Sequence, residues 1–224
     1  SVGSGCRLMS VKEGVPSVEV RESSVEACKY VAAQIAKTIR EKVVEKGRCV
    51  LGLATGATQI PVYQELVRLH KEEGLSFKDV ISFNLDEYNG LAQDHPESYH
   101  FYMRSNLFDH VDILPGNFHL PSGTVAPEDA AQHCADYENA IRSHKIDLQL
   151  LGIGRDGHIG FNEPGSEKES QTRVVELHHQ TIADAASSFG GEDGVPKKAI
   201  TMGIDTILSN ATKVILLAWG PKKA

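Results

Sequence analysis

An α/β fold with a doubly wound, mostly parallel sheet of Rossmann-like topology is predicted for this chain by three observations. Short, nearly all-apolar runs such as Cys49–Leu53 (CVLGL) and Val214–Trp219 (VILLAW) read as strands buried on both faces, as in a parallel sheet. Between such runs lie segments whose apolar residues recur at helical spacing. Small or glycine-rich loops follow several strands, where backbone can come close to a ligand.

In chain order, Ser17–Arg21 is a short strand candidate, and Ser23 or Ser24 caps a helix with Val25, Cys28, Val31, Ala32, Ile35 and Ile39 at helical spacing. Lys46-Gly47 closes that helix. Strand Cys49–Leu53 runs into Ala54-Thr55-Gly56-Ala57-Thr58 and a helix from about Pro61 to Lys71. Strand, small loop and helix together make an anion-site geometry, in which amides and the Thr55 and Thr58 hydroxyls can hold a phosphate. An ordinary turn with threonine as N-cap fits the same residues, since this loop carries neither a Walker lysine nor a GxGxxG.

Val80–Leu85 (VISFNL) is a second buried strand, ending in Asp86-Glu87-Tyr88. Carboxylates there sit where open α/β sheets bind ligands, although they can also cap the next turn. Leu91–Glu97 is a polar loop, Ser98–Phe108 a helix, Val111–Leu120 an irregular stretch and Pro127–Ser143 a further helix. After Ile146–Leu151, a strand, comes LGIGRDGHIGFNEPG (151–165), with Gly152, Gly154 and Gly157 within six residues. Asp156 and His158 are set into that turn, and Glu163 stands just before Pro164. A carboxylate beside an imidazole can orient the ring and hold its proton, and a second carboxylate can complete a relay. A glycine-rich strand exit with a surface histidine is the plainer alternative. Strand Arg173–Leu177, a polar stretch to Gly194, the segment Pro196–Met202, helix Ile204–Ser209 and strand Val214–Trp219 complete the order. In such a sheet the loops bearing Thr55, Asp86 and His158 converge on one edge.

At 224 residues the chain suits one domain with a sizeable core, and no repeat or linker divides it. The expected organisation is an N-terminal extension, 1–16, and a single domain, 17–224, truncated at its C-terminus. A net charge of −7 without a basic run argues against nucleic acid as a partner. The four cysteines are scattered with no metal-like spacing, as isolated thiols of a reducing compartment, with Cys28 and Cys49 expected to be buried. No stretch approaches signal-peptide or membrane-span length, so the cytoplasm is expected and a membrane is not.

Four motifs, Leu51–Gly56, Ser82–Tyr88, His95–Tyr99 and Gly152–Gly165, occur in one order and resemble the glucosamine-6-phosphate deaminase (isomerase) family. The sugar-phosphate lactonases share the family's fold, but their counterpart of the central motif lacks the histidine-to-FNEPG continuation. The resemblance covers about Val50 to Ala224. It implies conversion of glucosamine 6-phosphate to fructose 6-phosphate and ammonia, with no metal or other cofactor. It assigns His158, oriented by Asp156 and Glu163, to ring opening and Asp86 to the base that moves a proton between carbons. Thr55, Gly56, Ala57 and Thr58 match the phosphate loop, and Lys223 a phosphate-binding lysine. Three positions depart: Ser187 and Ile182 stand where arginine is common, and Ala57 replaces a frequent glycine or serine. The partners implied are a small-molecule amino sugar phosphate and, as an option, a second copy of the chain. A lactonase-like sugar-phosphate enzyme and a non-catalytic sugar-phosphate-binding domain are the alternatives, and retention of the acid–base set argues against the second.

Overall fold

The computed structural model describes residues 6–12 and 15–220, with side chains from Ser17 onward. Its strands are β1 (Cys6–Lys12), β2 (Val15–Arg21), β3 (Cys49–Leu53), β4 (Val80–Asn84), β5 (Asp86–Asn89), β6 (Phe118–His119), β7 (Leu148–Leu151), β8 (Arg173–Glu176), β9 (Lys198–Thr201) and β10 (Val214–Ala218). Its α-helices are α1 (Ser24–Lys46), α2 (Ile60–Glu73), α3 (Tyr99–Asn106), α4 (Ala130–His144), α5 (His179–Ala185) and α6 (Ile204–Asn210).

The main sheet has the order β2-β1-β10-β7-β3-β4-β6. Its five strands from β10 to β6 run parallel, because each is joined to the next by a helical crossover. Side chains alternate across this sheet. Leu51 and Leu53 of β3 face α1, α2 and α3, while Val50 faces α4 and α6. Helix α1 starts at Ser23, whose hydroxyl accepts the Glu26 N–H, and stops at Gly47 in the left-handed region, φ 75°. Its buried stripe begins at Ala27; Val25, expected on that stripe, is 60 % exposed.

Three features differ from the expectation. The segment 1–16 contributes backbone to the sheet, because Cys6–Lys12 pairs antiparallel with both β10 and β2. The boundary expected at residue 17 falls inside β2. The polar stretch before Gly194 contains α5, a helix with one buried side chain and so a weak apolar signature. Finally, β5, β9 and β8 form a separate antiparallel sheet of three strands. Asp86-Glu87-Tyr88, expected at the end of a strand, thereby opens a new one.

The two sheets are joined at Leu85. Its N–H donates to the Leu53 carbonyl in the main sheet (3.1 Å), and its own carbonyl accepts the Met202 N–H (2.7 Å) just past β9. Thr201 and Asp86 pair across the second sheet.

Helix α4 is fastened to the region of β8 and α6 by one buried carboxylate. Glu138 accepts the Thr172 N–H (3.0 Å) and the hydroxyls of Thr172 (2.7 Å) and Thr206 (2.6 Å), and pairs with Arg142 at 2.7 Å. Removing it strands three buried donors and takes one of two carboxylate partners from Arg142, which keeps Asp205 at 3.0 Å. Glu138→Ala should therefore lower stability by about 3 kcal/mol. By thermal denaturation that is a fall of about 6–12 °C in Tm for a chain of this size. A fall of less than about 2 °C would show that the network is not holding the two layers together.

Candidate active site

Three loops at the C-terminal ends of the parallel strands close on one cleft of about 290 Å³. It is lined by the Thr55–Thr58 loop after β3, by Asp86 after β4 and by Gly154 and His158 after β7, as the strand order requires.

The loop after β3 is held from outside the cleft. The Tyr63 hydroxyl donates to the Ala54 carbonyl, the Tyr102 hydroxyl to the Gly56 carbonyl (2.8 Å) and the Trp219 indole to the Thr58 carbonyl (3.4 Å). Gly56 adopts φ +104°, a conformation that side-chain-bearing residues rarely take. With the carbonyls occupied from behind, the N–H groups of Gly56, Ala57 and Thr58 make no hydrogen bond among the described residues. Amides free ahead of a helix are able to accept an anion. Tyr99 also lines the cleft, with its ring centroid 5.0 Å from that of Tyr88.

Asp86 is 5 % exposed at the floor of the cleft, against Gly160, where a side chain would lie 3.2 Å from Oδ2. Burial, with the neighbouring Glu87 charge, pushes its carboxyl well above the ordinary aspartate value. Glu87 points the other way and accepts the N–H groups of Tyr88 (2.8 Å), Tyr99 (3.0 Å) and His100 (2.9 Å) at the start of α3. Its carboxyl is also raised by burial, and those three amides offset part of the rise. The two adjacent carboxylates thus differ in kind: Glu87 anchors a helix, and Asp86 is left for the cleft.

His158 lies flat against Gly154, where a Cβ would sit 2.2–2.4 Å from the ring atoms. Gly154 is therefore the position at which the turn has room for backbone alone. The Gly154 N–H donates to the His158 carbonyl (2.8 Å) and closes the turn. Asp156 Oδ1 is 2.6 Å from His158 Nδ1, off the axis of a well-directed ring hydrogen bond, and also accepts the His158 backbone N–H at 3.3 Å. Partial burial pushes the Asp156 carboxyl up, but the His158 amide and ring outweigh it and hold the group below the usual range.

Glu163 stands behind this pair. Its carboxylate accepts the His178 N–H (2.8 Å) and the Thr181 hydroxyl at the start of α5. It lines an adjoining cavity rather than the cleft, within 4.8 Å of ligand atoms on Asp156 and His178. Arg173, Thr201 and Asn162 pin the intervening segment: Thr201 Oγ1 accepts the Phe161 N–H (3.1 Å), and Asn162 Oδ1 accepts from Arg173 (2.9 Å).

Lys223 lies outside the described residues. Ser187 is exposed in the turn after α5, and Ile182 packs into the apolar cluster around Tyr88. Sequence reasoning misses two cleft residues. Tyr99 falls in the His95–Tyr99 motif and at a helix start, and neither reading assigns its side chain to the cleft. Gln59 is fully buried beside Gly152, and both amide atoms lack a partner among the described residues.

The sequence profile of the family described as glucosamine-6-phosphate isomerases/6-phosphogluconolactonase matches residues 22–224. The chain is 49 % identical over 204 residues to glucosamine-6-phosphate deaminase 2 of Giardia intestinalis, spanning 90 % of this chain and 75 % of that protein. It is 48 % identical over 194 residues to glucosamine-6-phosphate deaminase 1 of Bacillus subtilis, spanning 86 % of this chain and 79 % of that protein. A solved structure of a monomeric glucosamine-6-phosphate deaminase superposes with a TM-score of 0.79 at 48 % identity, over 84 % of this chain and 76 % of its own. The 6-phosphogluconolactonase of Thermotoga maritima, at 24 % identity and a TM-score of 0.59, shares the fold, over 79 % of this chain and 72 % of its own.

The raised Asp86 carboxyl has a consequence for stability. The folded state binds this proton more tightly than the unfolded chain, so its contribution is complete below the unfolded value of about 3.9. It is lost as pH rises through the folded value, leaving a buried charge as a penalty at neutral pH. Asp86→Asn should therefore melt higher than the parent protein at pH 7–8 and at about the same temperature near pH 3.5. Each 1 kcal/mol of relief appears as about 2–4 °C. A variant that melts lower at neutral pH would place the ionised carboxylate in a favourable environment instead.

Proposed function

The chain belongs to the glucosamine-6-phosphate isomerase/6-phosphogluconolactonase family, and from that premise we propose that it converts glucosamine 6-phosphate and water to fructose 6-phosphate and ammonia. The observation that carries this reading is the meeting of a buried carboxyl, Asp86, and an imidazole, His158, in one cleft, beside a loop of free amides. The Asp86 carboxyl is held up by burial, and the His158 imidazole is held by an ionised Asp156.

Each part answers a need of the reaction. The sugar must open before it can isomerise, so a proton leaves the anomeric hydroxyl and one reaches the ring oxygen as that bond breaks. His158 faces the cleft and can carry that proton, with Asp156 stabilising the imidazolium that forms. In the open aldehyde the proton on the amine-bearing carbon is removed and returned to the neighbouring carbon, while a proton passes from the amine nitrogen to the aldehyde oxygen, leaving an imine where the amine stood beside a hydroxymethyl group. Asp86 is the base for that transfer: a desolvated carboxylate is more basic, and burial keeps the captured proton from water. Water then adds to the imine carbon and ammonia leaves, giving the ketone. The Thr55–Thr58 amides hold the phosphate and fix the sugar between the two carriers.

Asp86, His158 and the Thr55–Thr58 loop meet in one cleft of the same chain. Buried thiols at Cys49 and Cys134, which form no disulfide among the described residues, support a reducing compartment, the cytoplasm, as the setting. Among the described residues no helix is long and apolar enough to cross a membrane.

Incubation with glucosamine 6-phosphate should yield ammonia and fructose 6-phosphate in equal amounts. Asp86→Asn and His158→Gln should each lower kcat by about a hundredfold to ten-thousandfold while leaving the fold intact by circular dichroism. A parent protein that releases neither product would overturn the assignment. Near-normal turnover in Asp86→Asn would move the base to another residue.

A further inference from the structure

Beside the cleft lies a group of side chains that ring opening and isomerisation do not fully use. His178 and Glu163 approach to 3.9 Å between Nε2 and Oε2, and ligand atoms of Asp156, Glu163 and His178 all lie within 4.8 Å of one another. The geometry points to a binding site for a divalent transition-metal ion of the zinc type, formed by these three residues, whose occupation inhibits the enzyme. The binding claim stands on geometry alone; the inhibition rests on the proposed deaminase function.

Chemistry and shape agree on the class of ion. One imidazole and two carboxylates form a borderline donor set that favours Zn²⁺ over Mg²⁺, which prefers all-oxygen sites rich in water. Donors on tetrahedral zinc lie about 3.3–3.4 Å apart, so closure requires a shift of about 1–1.5 Å, within reach of the exposed His178 side chain.

The site is also braced. Glu163 accepts the His178 backbone N–H at 2.8 Å and the Thr181 hydroxyl, which uses one lone pair on each oxygen and leaves the other free. Asp156 brings a buried oxygen, Oδ2, that has no hydrogen-bond partner among the described residues. The loop bearing Asp156 is tied to α5, the helix after His178, by the Arg155–Asp184 ion pair at 3.1 Å. A cavity of about 410 Å³ opens on Glu163 and His178, with room for a water to complete the shell. Glu167 and Glu176 on its walls add negative charge, and the Arg173 guanidinium there is turned onto Asn162 and Ser166.

Inhibition arises from shared use of Asp156. A dication on that carboxylate draws its charge away from His158 and repels the imidazolium that ring opening requires. The metal site and the proton carrier cannot both have Asp156 at full strength.

His178→Gln tests this cleanly, because it removes the imidazole while keeping the backbone N–H that holds Glu163. Zn²⁺ titrated into the full chain by calorimetry should bind one ion at this site, with affinity at least tenfold weaker in His178→Gln; Mg²⁺ should not compete. In zinc-free buffer the variant should turn over glucosamine 6-phosphate like the parent, and added Zn²⁺ should slow the parent at concentrations that spare the variant. Equal zinc affinity and stoichiometry in the two proteins would overturn the site. Binding that depends on His178 but leaves turnover unchanged would overturn the inhibition. A parent protein without any deaminase activity would overturn the functional reading while calorimetry still decides the site.

Discussion

The structure turns on the peptide at Leu85. Its amide belongs to the main parallel sheet and its carbonyl to the end of the second sheet, so the chain changes sheets within one residue. Backbone groups in such a place must find partners, because an unmet buried donor or acceptor costs about 1–3 kcal/mol. Meeting that demand from both sides leaves the next residue little freedom. Asp86 is consequently delivered to the buried floor of the cleft, with Thr201 opposite and Gly160 against its carboxylate. The raised proton affinity of this group is a by-product of how two sheets are stitched together.

The same economy governs the loop after β7. Gly154 has no side chain because the His158 ring occupies that space, and Gly157 takes φ +90° so that the turn can close. The acids divide between structure and chemistry. Glu87 and Glu163 each sit at the N-terminal start of a helix, Glu87 accepting the Tyr99 and His100 N–H groups and Glu163 the N–H of His178, the residue before α5, where the helix dipole favours a negative charge. Asp86 and Asp156 are left less encumbered. Glu163 anchors a helix that begins close to Asp156, the neighbour of His158.

Much of this could be read from the residues alone, and the reason is periodicity. CVLGL, VISFN and VILLA are apolar at nearly every position because both faces of a parallel strand are covered, and all three are central strands. Order along the chain then placed Thr55, Asp86 and His158 on one edge. The second sheet was harder to see. DEYN opens on two acids, and β8 and β9 are four residues each, too short for a period of two to stand out. Helix α5 buries only Thr181, so it carries almost no apolar stripe. Residues 6–12 gain their place by pairing with β10, a long-range contact that no local pattern announces. Gln59 escaped notice for a related reason: its burial depends on Gly152, a residue distant in the chain, which has no side chain to fill that space.

The central claim is that burial at the sheet junction, rather than any dedicated partner, makes Asp86 a stronger base than an ordinary aspartate. The most direct measurement is the carboxyl carbon resonance of Asp86 followed against pH in the ligand-free protein. A midpoint clearly above the ordinary aspartate value of about 3.9 is the expected result. A midpoint at or below that value would contradict it, by showing that the ionised carboxylate is well solvated or paired where the structure shows it enclosed.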